Sequence, residues 1–156
     1  MKDLHQMAFA SREAALTLAA ADIDLRNRAL LAMAKVLNAR KDEIFTANEA
    51  DVAEATADGL AAPLLKRLAF REEKLAAVTE GLEALAALPD PIGQTTYARE
   101  LTEGLKLYRV ACPIGVIGVI FESRPDALVQ IASLALKSGN AVLLKGGREA
   151  LRTNQV

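Results

Sequence analysis

The chain has 156 residues, enough for one ordinary domain with a core of its own, and its 19 Lys and Arg against 20 Asp and Glu leave a net charge of −1. That balance excludes a broad electrostatic footprint for nucleic acid or an anionic membrane, so any bound anion must be held by local groups. A single cysteine excludes an internal disulfide and a thiolate metal cage, and the 52% apolar content comes with four Phe, two Tyr and no Trp, which favours closely packed helices over an aromatic core.

The first residues, Met1 to Gln6, lack the basic, apolar, small-residue order of a secretory leader. The longest apolar run, Ile114 to Phe121, is far below the roughly 20 residues needed to span a bilayer. Together these predict a soluble, cytoplasmic protein with no membrane contact. Two periodicities divide the chain near Pro89-Asp90-Pro91. Residues 1–91 predict a helical region. Leu4, Met7, Ala8, Ala14, Ala15 and Leu18 recur at helical spacing, and lone His5 is expected to be a solvated helix residue. After a polar break at Asp22-Ile23-Asp24, with Asp24 the expected N-cap, Leu30, Met33, Ala34 and Leu37 share a second helix face. Asn48 is placed as the cap of a helix starting at Glu49, and Asp58-Gly59 as its stop. Leu75, Val78, Leu82 and Leu85 form a further seam, ended by the prolines that follow.

Residues 92–112 alternate and predict a β-hairpin, Thr95 to Leu101 against Leu105 to Val110, with Thr102-Glu103-Gly104 as a three-residue loop. Residues 113–156 begin with a β-branched run, Ile114 to Phe121, apolar on both faces as a buried parallel strand requires. Pro125 suits the first turn of a helix with Asp126 beside it, and Leu128, Ile131, Ala132, Ala135 and Leu136 supply its buried face. Ser138-Gly139-Asn140 ends that helix, Ala141 to Lys145 is a second apolar strand, and Arg148 to Val156 opens another helix. The fold class is therefore α/β: a helical N-terminal layer, a hairpin, then the start of a Rossmann-like parallel β-α-β unit.

A β-α-β unit puts the loops after both strands on one sheet edge, where ligands of open α/β folds bind. Those loops are Glu122-Ser123-Arg124-Pro125 and Gly146-Gly147-Arg148. The first brings an acid, a hydroxyl and a base to a helix start; the second follows Lys145 with two glycines that allow a ligand to approach the backbone. The G-x-G-x-x-G fingerprint is absent, and Gly115 and Gly118 equally suit close packing inside a strand. Lys145 and Arg148 equally suit a strand-end charge and a first-turn helix residue, and Arg124 an ion pair with Glu122 or Asp126.

The run from Pro113 to Pro125, the stretch Lys137 to Glu149, and Arg152-Thr153-Asn154 together resemble the cofactor-domain signature of the γ-glutamyl phosphate reductases, the proline-pathway branch of the aldehyde dehydrogenase superfamily. Ala47 to Ala53, Gly59-Leu60 and Asp90 to Gly93 also fit the helical part of that family. The resemblance implies NADPH-dependent reduction of L-glutamyl 5-phosphate to L-glutamate 5-semialdehyde with phosphate release. It implies that Lys145 contacts the adenosine ribose and that Arg148, where NAD-preferring relatives often carry glutamate, favours the 2′-phosphate of NADP. Ile120, Phe121, Glu122, Ser123 and Gly147 would line the cofactor groove, and Arg124 would meet the substrate. Ser123-Arg124 stands where hydrolytic relatives carry an oxyanion-stabilising asparagine, so no oxyanion donor is assigned.

In this family a cysteine thiolate attacks the acyl phosphate and hydride from NADPH reduces the resulting thioester. Cys112 precedes the first parallel strand, at the edge opposite the ligand loops, and is expected to be structural, with the nucleophile beyond Val156. The chain is thus read as the cofactor-side N-terminal part of a stand-alone reductase, inactive alone, whose complete form is a homo-oligomer using a small-molecule substrate. The competing reading is a non-catalytic nucleotide-binding or assembly module.

Overall fold

The computed structural model describes residues 3–156 as a mixed α/β fold, with helices α1 (Leu4–Ala20), α2 (Ile23–Ala39), α3 (Lys41–Ala57), α4 (Ala62–Leu68) and α5 (Glu72–Ala87) preceding the strands. A hairpin of β1 (Thr95–Thr102) and β2 (Leu105–Val110) follows, then β3 (Val116–Ile120), α6 (Pro125–Lys137), β4 (Ala141–Lys145), a 3-10 turn at Arg148–Ala150 and α7 (Leu151–Gln155). No helix among the described residues is long and apolar enough to cross a membrane.

The seams of α2 and α5 pack as their spacing predicts, whereas on the α1 face Ala15 alone is buried and Leu18 half-buried, with Leu4, Met7, Ala8 and Ala14 exposed. Leu30 and Ala34 of α2, Ile44 of α3, Phe70, and Leu75, Val78, Leu82 and Ala86 of α5 form one buried cluster, with Val129 and Leu136 of α6 against it. Leu30, Leu68, Leu75 and Leu82 are almost wholly removed from water. Burying each such side chain contributes about 1.5–3 kcal/mol, which fixes α2, α5 and α6 as one unit. His5 is exposed, as expected.

Two caps differ from expectation. Asp22 rather than Asp24 caps α2, its carboxylate accepting from the Leu25 N–H at 2.6 Å, while Asp24 lies inside the first turn where its charge meets the helix dipole. Asn48 starts no helix: it lies within α3, 2% exposed, where its Oδ1 accepts from Phe70 N at 2.6 Å and its Nδ2 donates to Leu68 O and Thr153 Oγ1. An amide that would cap locally here serves backbone brought close by α4.

The hairpin is antiparallel with Thr102 opposite Leu105, so the turn is Glu103-Gly104 and one residue shorter than expected. Gly104 has φ +80° and donates its N–H to Glu100, and every residue of both strands is exposed. In the second sheet β3 and β4 are parallel with Val116 opposite Ala141 and Ile120 opposite Lys145, so their carboxyl ends are level. β3 is shorter than its apolar run because Gly115 has φ +119°, with the Ile114 and Gly115 N–H groups turned onto Asn140 Oδ1 at 2.6 and 2.8 Å. Neither Gly115 nor Gly118 has an atom within 4 Å of where a Cβ would stand, so close packing is not their role. The run is also not buried on both faces: Ile114, Val116 and Ile120 are exposed, because α1 and α6, the helices that meet this sheet, leave their side uncovered.

The elements on either side of Pro89–Pro91 interlock. α2 and α5 contact α6, α1 contacts β4, and α3 contacts α7.

Candidate functional site

The two loops after β3 and β4 meet at the carboxyl edge of the parallel pair. Phe121 N donates to Lys145 O at 3.1 Å and extends the ladder one step past β3, which brings residues 121–124 beside residues 145–149. Ile120 and Lys145 end their strands exposed, Glu122 is exposed, and Phe121 is half-buried with its ring about 3.4 Å from the position of a Cβ on Gly146.

Ser123 is the strained point. It is buried and holds φ +48°, the left-handed region that a non-glycine residue enters at a cost of about 1–2 kcal/mol. The strain is held by Glu149, whose Oε1 accepts from Ser123 N and, at 2.9 Å, from Ser123 Oγ. Burial pulls the Glu149 pKa up, but its own N–H, the Ser123 hydroxyl and amide, and nearby Lys145 together bring it below the ordinary carboxylate value. With both donors on Glu149, Ser123 in this arrangement has none to offer an oxyanion. Glu149 was not singled out from sequence, since its partner lies 26 residues away.

The glycine pair departs from expectation. The space beside Gly146 is filled by Phe121 and Asn154, and that beside Gly147 by the Glu149 carboxylate, so the missing side chains accommodate the protein's own packing rather than leaving an open approach for a ligand.

The cations divide sharply. Arg152 is taken: its Nη1 reaches Asp51 at 3.1 Å and Glu54 at 2.6 Å. Arg124 pairs with Asp126 at 2.8 Å, the ion pair considered from sequence, while its guanidinium stays half-exposed. The other oxygen of Asp126, Oδ1, is buried without a hydrogen-bond partner. Arg148 is exposed and Lys145 is exposed, and neither side chain has a hydrogen-bond or ion-pair partner among the described residues. Arg148 borders a cavity of about 580 Å³ whose other walls include Asp51, Glu54, Asp58 and Arg152. Cys112 is an exposed free thiol before the amino end of β3, the length of the strand away from these loops.

No protein-family model matches the chain. The γ-glutamyl phosphate reductase of Acetivibrio thermocellus is 56% identical over 153 residues, which cover 98% of this chain and 36% of that protein. The crystal structure of the Saccharomyces cerevisiae γ-glutamyl phosphate reductase superposes with a TM-score of 0.92 at 42% identity, covering 98% of this chain and 39% of that one. A probable aldehyde dehydrogenase of Listeria monocytogenes, at 17% identity and TM-score 0.62 over 96% of this chain and 30% of its own, shares the fold. The chain spans a little over a third of the length of the reductases it matches. The chain is similar to the N-terminal part of the γ-glutamyl phosphate reductases and shares the aldehyde dehydrogenase-like fold.

Proposed function

We propose that this chain is the cofactor-side part of an NADPH-dependent reductase that converts L-glutamyl 5-phosphate to L-glutamate 5-semialdehyde and releases phosphate. The observation that carries the cofactor choice is the pair Lys145 and Arg148 at the carboxyl edge of β3 and β4, two cations with no partner among the described residues beside an Arg152 already engaged by Asp51 and Glu54. Two uncommitted cations fit the adenosine end of a dinucleotide carrying a 2′-phosphate, Lys145 at the ribose and the planar guanidinium of Arg148 on the phosphate. When bound, the nicotinamide supplies the hydride.

The chain's own residues bind and orient. Ile120, Phe121, Glu122 and Ser123 line the groove, to which Gly147, its Cβ side filled by Glu149, offers only its backbone, with Glu149 holding the Ser123 loop in its strained form. Arg124, fixed by Asp126, faces the substrate. The nucleophilic cysteine is a residue other than Cys112, whose place at the opposite end of β3 keeps it from these loops. Residues 1–91 form the helical region, 92–112 an arm for contact between subunits, and 113–156 the first part of the NADP-binding unit. The arm reading is supported by exposed Tyr97, Leu101, Leu107, Tyr108 and Val110 on the hairpin. A cytoplasmic enzyme of amino-acid biosynthesis acting on a small soluble substrate follows from the same reading.

The test uses a full-length polypeptide carrying this sequence. Reduction of NADP⁺ with the semialdehyde is expected only when inorganic phosphate is present. Turnover without phosphate, or none with it, overturns the assignment.

A further inference from the structure

We propose that Lys66, Arg67 and Lys74 of the helical layer join Arg124 in a recognition site for the phosphate and carboxylate of the substrate. The inference rests on the reductase reading for the identity of the ligand, and on geometry for its place.

A cavity of about 690 Å³ is lined by Pro63, Lys66, Arg67, Lys74, Arg124 and Asp126. Four cations face one carboxylate, one oxygen of which pairs with Arg124 at 2.8 Å. The Lys66 and Arg67 side chains have no hydrogen-bond or ion-pair partner among the described residues, although both lie in the last turn of α4 where a cation ordinarily answers the helix carbonyls. That task falls to Lys74, whose Nζ donates to Arg67 O at 2.6 Å and lies 3.5 Å from Lys66 O. The two terminal cations are therefore spare, held side by side in a chain with a net charge of only −1.

Arg124 links this cavity to the sheet edge, since it follows the loop leaving β3 and is the N-cap residue of α6. The positive end of that 13-residue helix adds to the field of the four side chains. Burial lowers the Lys74 pKa, Asp126 opposes the effect and Arg124 adds to it. The cavity shares no lining residue with the one that Arg148 borders. An anionic substrate and a cofactor 2′-phosphate would thus be read by different cations, both from the carboxyl edge of β3 and β4.

The experiment is the double variant Lys66→Ala, Arg67→Ala in a full-length polypeptide carrying this sequence, assayed with NADP⁺, semialdehyde and inorganic phosphate. Each lost charge-assisted contact should raise the KM for phosphate or semialdehyde by roughly tenfold. The KM for NADP⁺ should stay unchanged, and Lys66→Arg, Arg67→Lys should restore most of the loss. Unchanged phosphate and semialdehyde KM values, or a matching rise in the NADP⁺ KM, overturn the proposal. Equilibrium dialysis with inorganic phosphate separates it from the reading beneath it. If the unaltered polypeptide shows no phosphate-dependent turnover, the reductase reading fails. Phosphate binding that is then lost in the double variant still upholds the pocket, and binding that is absent or retained in the variant overturns it.

Discussion

Asp51→Ala should unfasten the last segment of the chain from the helical layer. Asp51 is 2% exposed on α3, and its carboxylate accepts from Thr153 N at 2.8 Å, Thr153 Oγ1 at 2.7 Å, Arg152 N at 3.3 Å and Arg152 Nη1 at 3.1 Å. Alanine leaves the buried amide and hydroxyl of Thr153 without an acceptor, while Arg152 keeps Glu54. Two orphaned buried donors, each costing about 1–3 kcal/mol, set the expected loss at roughly 3–4 kcal/mol. Arg152→Ala removes the half-exposed partner alone and should cost about 0.5 kcal/mol or less, because solvent screens that pair. Asp51→Asn, which keeps one acceptor oxygen, should fall between the two. Urea unfolding at constant slope measures all three, and amide exchange locates the effect, with faster exchange expected over residues 148–155 first. If Asp51→Ala costs no more than Arg152→Ala, or exchange rises equally through α2 and α5, the carboxylate is not the fastening.

Arg148→Glu should raise the KM for NADPH far more than that for NADH in a full-length polypeptide carrying this sequence; equal loss of both refutes a 2′-phosphate role. Gly139→Ala should cost about 2 kcal/mol in thermal or urea unfolding, because Gly139 has φ +70° and an added Cβ would lie 2.7 Å from Ile92 Cδ1 and 3.1 Å from Pro113 Cγ. Glu149 has a folded pKa below its ordinary 4.5, so its contribution to stability is present in full above that value and is lost as pH falls through the lower folded one. The stability gap between the natural chain and Glu149→Gln should therefore close in acid, and a gap independent of pH refutes the clasp on Ser123.

Local pattern was enough where a feature depends on near neighbours in sequence. The Leu75, Val78 and Leu82 seam, the Pro125 helix start and the glycine stops at Gly59 and Gly139 all lie where the spacing and turn chemistry put them. Asn48 was illegible because its partners at Leu68, Phe70 and Thr153 arrive only when α4 and α7 fold against α3. Asp22 and Asp24 are equally good caps by type, and only the reach to Leu25 N separates them. At the sheet edge the residue types point to a ligand loop, but what surrounds Gly147 depends on the Glu149 side chain lying over it. The cations at Lys66 and Arg67 were plain in the sequence as charges. Their meaning lies in their juxtaposition with Arg124, more than fifty positions on, which no periodicity encodes.

The interlock of the helical layer with the β-α-β unit explains how such a site can be held. At the carboxyl end of α6, Lys137 is 3% exposed and donates to Asn27 Oδ1 at 2.8 Å, Leu88 O at 2.7 Å and Ala86 O at 3.2 Å. Arg26 answers from α2, donating to the Lys137 carbonyl and reaching Asp90 at 2.7 Å. These bonds satisfy carbonyls that the ends of α5 and α6 leave open, so the polar knot does the work of two helix caps. Its charges are tolerable in the interior only while all partners are present. At the other end of α6, about 20 Å away by helix rise, Arg124 enters the cationic cavity. The helix is thus a strut whose far end is set by residues of the helical layer, and Arg124 takes its position from both. Residues 113–156 alone would keep Lys145 and Arg148 but lose Lys66, Arg67, Asp51 and the knot. On this geometry the helical layer would be a wall of the proposed binding site as well as its scaffold.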